Sequence, residues 1–119
     1  MHQSLIVYLA AFLSLSSCSN VVTKTYATLD DARRDRLFER GWLPDILPPS
    51  ARQIRVSSNV DVNTADGEFS FDPKDFAVFT ARLRPRKDGS FEFSVDRNTW
   101  VFTCDSGHTY CHYSMRRRT

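Results

Sequence analysis

The chain has 119 residues, of which 41% are hydrophobic and 13% aromatic, and its formal net charge at pH 7 is +2. This length fits one domain, and so small a net charge does not indicate a nucleic-acid-binding protein. The nine Phe residues supply enough apolar surface for a hydrophobic core.

The first feature along the chain is an apolar, uncharged run over residues 5–15. It is shorter than the roughly 20 residues that a membrane-spanning helix requires, and two small residues, Ser16 and Ser17, follow it. This order is typical of the apolar core and cleavage region of a secretory signal peptide. We therefore predict a signal peptide over residues 1–17, although its first four residues contain no Lys or Arg.

The segment Leu15-Ser16-Ser17-Cys18 resembles the lipobox of bacterial lipoproteins, which consists of a branched apolar residue, two small residues and Cys. The resemblance implies that Cys18 carries a thioether-linked diacylglycerol, becomes the first residue after cleavage and is acylated, for example by palmitate, on its amine. Two or more acyl chains anchor a protein firmly to a membrane. Because Ser19 rather than Asp follows, the resemblance implies a lipid anchor in the outer membrane, facing the periplasm. The alternative is an ordinary signal peptide followed by an unrelated cysteine.

The chain has three cysteines, so Cys104 and Cys111 remain if lipid occupies Cys18. An even pair in an exported protein favours a disulfide bond. Both cysteines also fall on one face of a predicted hairpin.

Residues 18–25 are polar and β-branched, and we predict that they form a tether between the lipid and a single globular domain over residues 26–119. Thr28 can cap a helix whose first turn contains Asp30 and Asp31, and this helix is expected to continue through Arg40 and stop at Gly41. Several arginines lie along it. They either bind an anionic partner or form a solvated surface that neighbouring acidic residues offset.

Residues 41–50 contain three prolines, which exclude a continuous helix or a central strand. Four apolar residues make this segment, which we call the proline strap, unlike a free loop: Trp42, Leu43, Ile46 and Leu47. The strap is either a packed connection between helix and sheet or a partner-binding element with Trp42 as its anchor. Residues 41–54 are also similar to a segment of small uncharacterised bacterial envelope proteins, and that similarity implies no activity.

The rest of the chain alternates between apolar and polar residues in short segments. Residues 54–63 and 68–71 predict two strands joined by a turn at residues 63–67, in which Asp66-Gly67 is a strong hairpin signal. Asp72 and Pro73 predict the start of a second helix. Residues 91–95, 100–104 and 109–113 then predict three further strands. We therefore predict an α+β fold, in which an antiparallel sheet of about five strands (a hairpin and a three-strand meander) is packed by two helices.

One cluster of metal-ligand residue types is present, formed by Cys104, His108, Cys111 and His112. Adjacent strand residues such as Cys111 and His112 point to opposite faces, and an oxidising compartment favours a disulfide over zinc. A calcium loop over residues 61–72 is disfavoured because Ala65 stands at one ligand position. We find no catalytic motif and predict no catalytic residue, metal or cofactor.

We therefore expect a lipid-anchored protein of the bacterial cell envelope that is not an enzyme and is held at the membrane by its lipid. It would act as a binding or accessory module for a protein or cell-wall partner. The alternative is a membrane-surface module that binds anionic lipid or glycan through its arginine clusters, which comprise Arg33, Arg36, Arg84, Arg86 and Arg116 to Arg118.

Overall fold

A computed structural model of the protein describes residues 20–118. The predicted signal peptide, the predicted lipid-bearing Cys18 and residue 119 lie outside the described residues. Within residues 20–118, no helix is both long enough and apolar enough to cross a membrane.

Seven strands form one antiparallel sheet. They are β1 (Val21–Thr28), β2 (Arg52–Asn59), β3 (Thr64–Ser70), β4 (Arg84–Pro85), β5 (Phe91–Val95), β6 (Asn98–Cys104) and β7 (Tyr110–Arg117). Their order across the sheet is β1-β2-β3-β7-β6-β5-β4. Two short helices, α1 (Leu29–Arg34) and α2 (Phe76–Thr80), and a 3-10 turn (Pro73–Asp75) complete the described elements.

The predicted α+β fold, with about five strands packed by two helices, is wrong. The protein is mostly sheet, with seven antiparallel strands and only 14% helical residues. Residues 21–25, predicted to be a tether, belong instead to β1. This strand lies at the edge of the sheet and buries only Tyr26, so its sequence lacks the regular alternation that identified β2, β3, β5, β6 and β7.

Both helices are shorter than predicted. α1 ends at Arg34, and Arg36 then takes a positive φ of 61°, which a continuing right-handed helix does not allow. The second helical segment covers only residues 73–80, as a 3-10 turn followed by α2. Asp72, the predicted cap, makes no side-chain capping hydrogen bond and instead forms an ion pair with Arg52 at 3.3 Å.

The turn between β2 and β3 lies at residues 60–63 rather than at the predicted residues 63–67, which belong to β3 from Thr64 onward. Gly67 lies inside β3, opposite Val56 on one side and Tyr113 on the other. A Cβ atom at Gly67 would overlap the carbonyl oxygen of Arg55 and contact the ring of Tyr113. Glycine is therefore required here for close approach of the neighbouring strands rather than for a turn.

The hydrophobic core lies on one face of the sheet. Phe79 of α2 packs edge-on against Phe69 and Phe102, with ring centroids 5.8 Å and 5.2 Å away. The indole nitrogen of Trp100 donates a hydrogen bond to the carbonyl oxygen of Trp42 at 3.0 Å. The short helices and the proline strap therefore cover the same face of the sheet.

Cys104 and Cys111 are direct partners in the pairing of β6 with β7, and their sulfur atoms are bonded in a disulfide. The prediction of this pair from the alternating pattern agrees with the structure. The disulfide closes the β6–β7 hairpin at the end of the sheet where α1 and α2 also lie.

Candidate functional site

The second face of the sheet is not covered by any helix among the described residues, and it is polar. Antiparallel sheets commonly bury one face and leave the other in water. The strand register aligns the exposed side chains in three rows across the sheet. We call this surface the open face; its rows are Arg55-Glu68-His112-Thr103, Ser57-Asp66-Ser114-Val101-Glu92 and Asn59-Thr64-Arg116-Thr99-Ser94.

An ion-pair network lies near the middle of the open face. Arg55 Nη2 lies 3.1 Å from Glu68 Oε1 and 3.5 Å from Asp66 Oδ1. The hydrogen bond from Arg55 lowers the pKa of Glu68, chiefly because it stabilises the carboxylate. The network therefore holds the Arg55 guanidinium and the Glu68 carboxylate side by side on the surface, with Asp66 next to them.

A shallow cavity of about 730 Å³ lies beside this network, toward the ends of β3, β6 and β7. Its polar lining combines hydroxyl groups, a carboxylate and three guanidinium groups, contributed by Thr64, Thr99, Ser114, Asp66 and Arg116 to Arg118. Such a lining offers both hydrogen-bond donors and acceptors. It is suited to a polar ligand or a polar protein surface rather than to an apolar molecule.

A second polar cluster fixes α1 and the following turns against β1. The carboxylate of Asp35 accepts hydrogen bonds from Tyr26 Oη at 2.6 Å, Lys24 Nζ at 3.2 Å and Arg40 Nη2 at 3.2 Å. These bonds, the one from Tyr26 foremost, lower the pKa of Asp35 to about 2. All four polar groups satisfy one another, so the cluster stabilises the fold and offers no reactive group.

The proline strap is divided between core and surface. Leu43 and Leu47 are buried with 0% and 8% exposure, whereas Trp42 and Ile46 are partly buried against the core. Leu43 and Leu47 therefore serve packing in this structure. A partner-binding role for Trp42 and Ile46 stays a prediction.

Three of the seven arginines in the predicted clusters have acidic partners. Arg33 pairs with Asp45 at 3.2 Å, Arg36 pairs with Glu39 at 2.8 Å, and Arg84 pairs with Glu92. Within residues 20–118, Arg86 and Arg116 to Arg118 form no salt bridge. The unpaired charge near the sheet is thus concentrated at the end of β7.

The metal-ligand types of the β6–β7 hairpin are not brought together. Cys104 and Cys111 are joined on the core side, His112 lies on the open face, and His108 stacks on Phe76 with ring centroids 3.7 Å apart. Across the described part of the chain, no group of three or more His, Cys, Asp or Glu side chains is placed to hold a metal ion.

Sequence reasoning identified the disulfide but missed the open face. The face depends on which strands are neighbours, and β3 pairs with β7 although their sequences are far apart. The only local signal was the polar half of the alternation in each strand, as in Ser57 and Ser114. Arg97 was also missed, since it stands in a turn with no basic neighbour in sequence.

The fold and its surface define the protein as a β domain built on one antiparallel sheet, with one covered face and one open polar face. Residues 20–70 match the family model described as the YbbD head domain, which represents a bacterial family. The matched segment contains β1, α1, the proline strap, β2 and β3. No curated protein and no solved structure matches the chain significantly.

Proposed function

We propose that the protein is a lipid-anchored, non-enzymatic module of the bacterial cell envelope that binds a protein or cell-wall partner through its open face. The open face carries the proposal, because a sheet of seven strands exposes fixed charges and hydroxyl groups there without a covering element among residues 20–118. A partner with a polar surface of complementary charge could bind these groups.

The proposed location is the outer membrane, with the domain in the periplasm. It is supported by the lipobox resemblance of residues 15–18, by the match of residues 20–70 to a bacterial family and by the disulfide. Disulfides persist in oxidising compartments such as the periplasm and are rare in the cytosol.

The lipid anchor can be tested by mass spectrometry and fractionation of the full-length protein in a bacterial host. We expect an acylated Cys18 and a membrane-bound protein, and a Cys18→Ser variant that lacks the acyl groups and loses firm membrane attachment. An unmodified Cys18, or identical fractionation of both forms, would contradict the anchor.

The open face can be tested by placing a photoreactive amino acid at Ser114 of the full-length protein in intact cells. The matched control is the same substitution at Val78, which is 64% exposed on α2 and thus lies on the covered side of the sheet. We expect a discrete crosslinked species from position 114 that position 78 does not give. Equal crosslinking from both positions, or none from position 114, would refute binding through this face.

A further inference from the structure

Four segments of the chain meet at one end of the sheet. The strand register places Val21 opposite Asn59, Thr64 opposite Arg116, and Asn98 opposite Arg117. The start of β1, the turn at residues 60–63, the turn at residues 96–97 and the end of β7 are therefore adjacent. We call this the anchor end; it extends over roughly 24 Å from β1 to β5 at about 4.8 Å per strand.

The anchor end carries most of the exposed apolar surface. Of the seven large hydrophobic residues that are exposed among residues 20–118, five lie here: Val21, Val22, Val60, Val62 and Val95. Val60 and Val62 are 54% and 60% exposed and lie in the turn between β2 and β3. Exposed apolar residues that are grouped rather than scattered mark an interaction site.

The same end carries four exposed arginines without a salt bridge inside the described ranges. The backbone N–H of Arg118 donates a hydrogen bond to the carbonyl oxygen of Arg97 at 2.9 Å, which brings the β5–β6 turn beside the end of β7. The arginines are Arg97, Arg116, Arg117 and Arg118. The acidic residues of the two turns are Asp61, which accepts a hydrogen bond from Asn20, and Asp96. The end therefore has an excess of positive charge.

The predicted lipid on Cys18 also connects the anchor end with a membrane. Cys18 precedes Val21 by three residues, and three residues span at most about 11 Å. A lipid on Cys18 therefore holds the anchor end, and no other part of the sheet, close to the membrane. At the opposite end, the arginines of α1 and the following turn are paired with acidic residues.

We propose that the anchor end is a membrane-contact site that lies against an anionic bilayer surface. Its arginines contact the headgroups, and Val60, Val62 and Val95 contact the boundary of the acyl region. The contact holds the strands roughly perpendicular to the membrane. The open face then lies parallel to the membrane normal and is exposed sideways, and the disulfide hairpin is directed away from the membrane. The orientation in the cell rests on the proposed lipid anchor, whereas the affinity for anionic lipid does not.

The site can be tested with the mature chain, residues 18–119, carrying Cys18→Ser so that no acyl group contributes. This chain contains all seven strands. We expect it to sediment with vesicles of phosphatidylcholine and phosphatidylglycerol at low salt and to be released from them at high salt. It should not bind vesicles of phosphatidylcholine alone. Absence of binding to the anionic vesicles would overturn the proposal.

A matched pair of variants distinguishes a site from general charge attraction. Replacing Arg116, Arg117 and Arg118 by Gln should weaken binding by about tenfold or more, since each basic residue near an anionic surface contributes roughly a fivefold gain. The control replaces Arg33, Arg34 and Arg36 by Gln, which makes the same change in net charge at the other end of the sheet and should retain most of the binding. Equal losses in both variants would refute the site.

The apolar part of the contact has its own control. Val62→Ser, in a turn outside the core, should reduce binding to the anionic vesicles, and Val78→Ser on α2 should leave it unchanged. Circular dichroism of each variant checks that the fold is retained. Mass spectrometry of Cys18 in the full-length protein tests the anchor separately, so failure of the anchor and failure of this site give different results.

Discussion

Gly67 shows how a single residue decides whether two neighbouring strands, β2 and β3, can lie close enough to pair. The backbone of β2 approaches it so closely that a methyl group would overlap the carbonyl oxygen of Arg55. We predict that Gly67→Ala lowers the free energy of unfolding by about 3 kcal/mol, because β2 would have to move away from β3. Urea denaturation measures this change.

Gly107→Ala is the control for that substitution. A Cβ at Gly107 would meet only the side chains of Asp105 at 3.3 Å and Thr109 at 4.0 Å, in an exposed turn. We expect a change within about 0.5 kcal/mol. Similar losses in the two variants would show that the close approach at Gly67 is not the cause.

Tyr113 places a destabilising polar group, its hydroxyl, in the hydrophobic core. Its ring is 0% exposed, and its hydroxyl oxygen has no hydrogen-bond partner among residues 20–118. Burial raises the pKa of Tyr113 well above its ordinary value, so the hydroxyl stays protonated. An unsatisfied buried hydroxyl costs roughly 1–3 kcal/mol, and we predict that Tyr113→Phe leaves the protein equally stable or more stable in urea. A clear loss of stability would reveal a hydrogen bond to this hydroxyl.

Asp35 makes stability depend on acid pH. Because its folded pKa, about 2, is below the ordinary value of 3.8, its contribution is fully present above pH 3.8 and is lost as pH falls through 2. We predict that the wild-type protein is more stable than Asp35→Asn at neutral pH. This difference in the free energy of unfolding should shrink as the pH falls from 3.8 to 2. Urea denaturation of both proteins across this range gives the difference directly. A difference that is constant with pH would contradict the proposed hydrogen-bond network.

Among the structural elements, those defined by local sequence were predicted and those defined by distant pairing were not. Alternation of apolar with polar residues made it possible to predict β5, β6 and the start of β7. The alternating apolar residues are Phe91 and Phe93, Trp100 and Phe102, and Cys111 and Tyr113. β1 was missed because an edge strand with one buried residue has no alternation to read. Its β-branched composition, in Val21, Val22, Thr23 and Thr25, was the available signal.

The helices were overpredicted for the opposite reason. Local signals such as Thr28 as a cap, which does accept a hydrogen bond from Asp31 N at 3.1 Å, were correct about the start of α1. They carried no information about its end at Arg34. In this protein the tertiary contacts of Leu37 and Leu43, both nearly fully buried, set the path of the chain after α1.

The disulfide acts on one element, the β6–β7 hairpin. It closes a loop with a sequence separation of 7, for which the chain-entropy relation gives about 2.5 kcal/mol. We predict that the double variant Cys104→Ser, Cys111→Ser loses roughly this amount in urea denaturation. The matched condition is the wild-type protein with reductant, which should approach the double variant. A double variant as stable as the oxidised protein would show that the hairpin does not depend on the bond.

At the scale of the whole molecule, the candidate surfaces could not be predicted from sequence. Val62 and Arg116 are far apart in the chain and lie at the same end of the sheet only because β3 pairs with β7. The sequence did supply the unpaired basic residues at 116–118 and the lipobox resemblance at Cys18. It could not show that the start of β1 and residues 116–118 belong to the same end of the sheet, since that follows from a strand order that no local pattern encodes.

The strand order also predicts how truncation affects the molecule. β7 lies between β3 and β6 and is the only strand that joins the β1–β2–β3 part to the β6–β5–β4 part. We predict that a chain ending at Cys111, which keeps both cysteines but removes most of β7, does not reach a protease-resistant state. Limited proteolysis beside the full-length chain measures this, and a resistant fragment spanning residues 20–70 would contradict the prediction.

The strand in the middle of the sheet is the last of the seven to leave the ribosome. Until the segment that contains β7 has emerged, the chain therefore cannot complete the sheet. During that interval the exposed flank of β3, with Phe69 and Ala65 unshielded, is open to pairing with other extended chains. Pairing of this edge with other chains is thus expected to be most frequent in the interval before β7 joins the sheet.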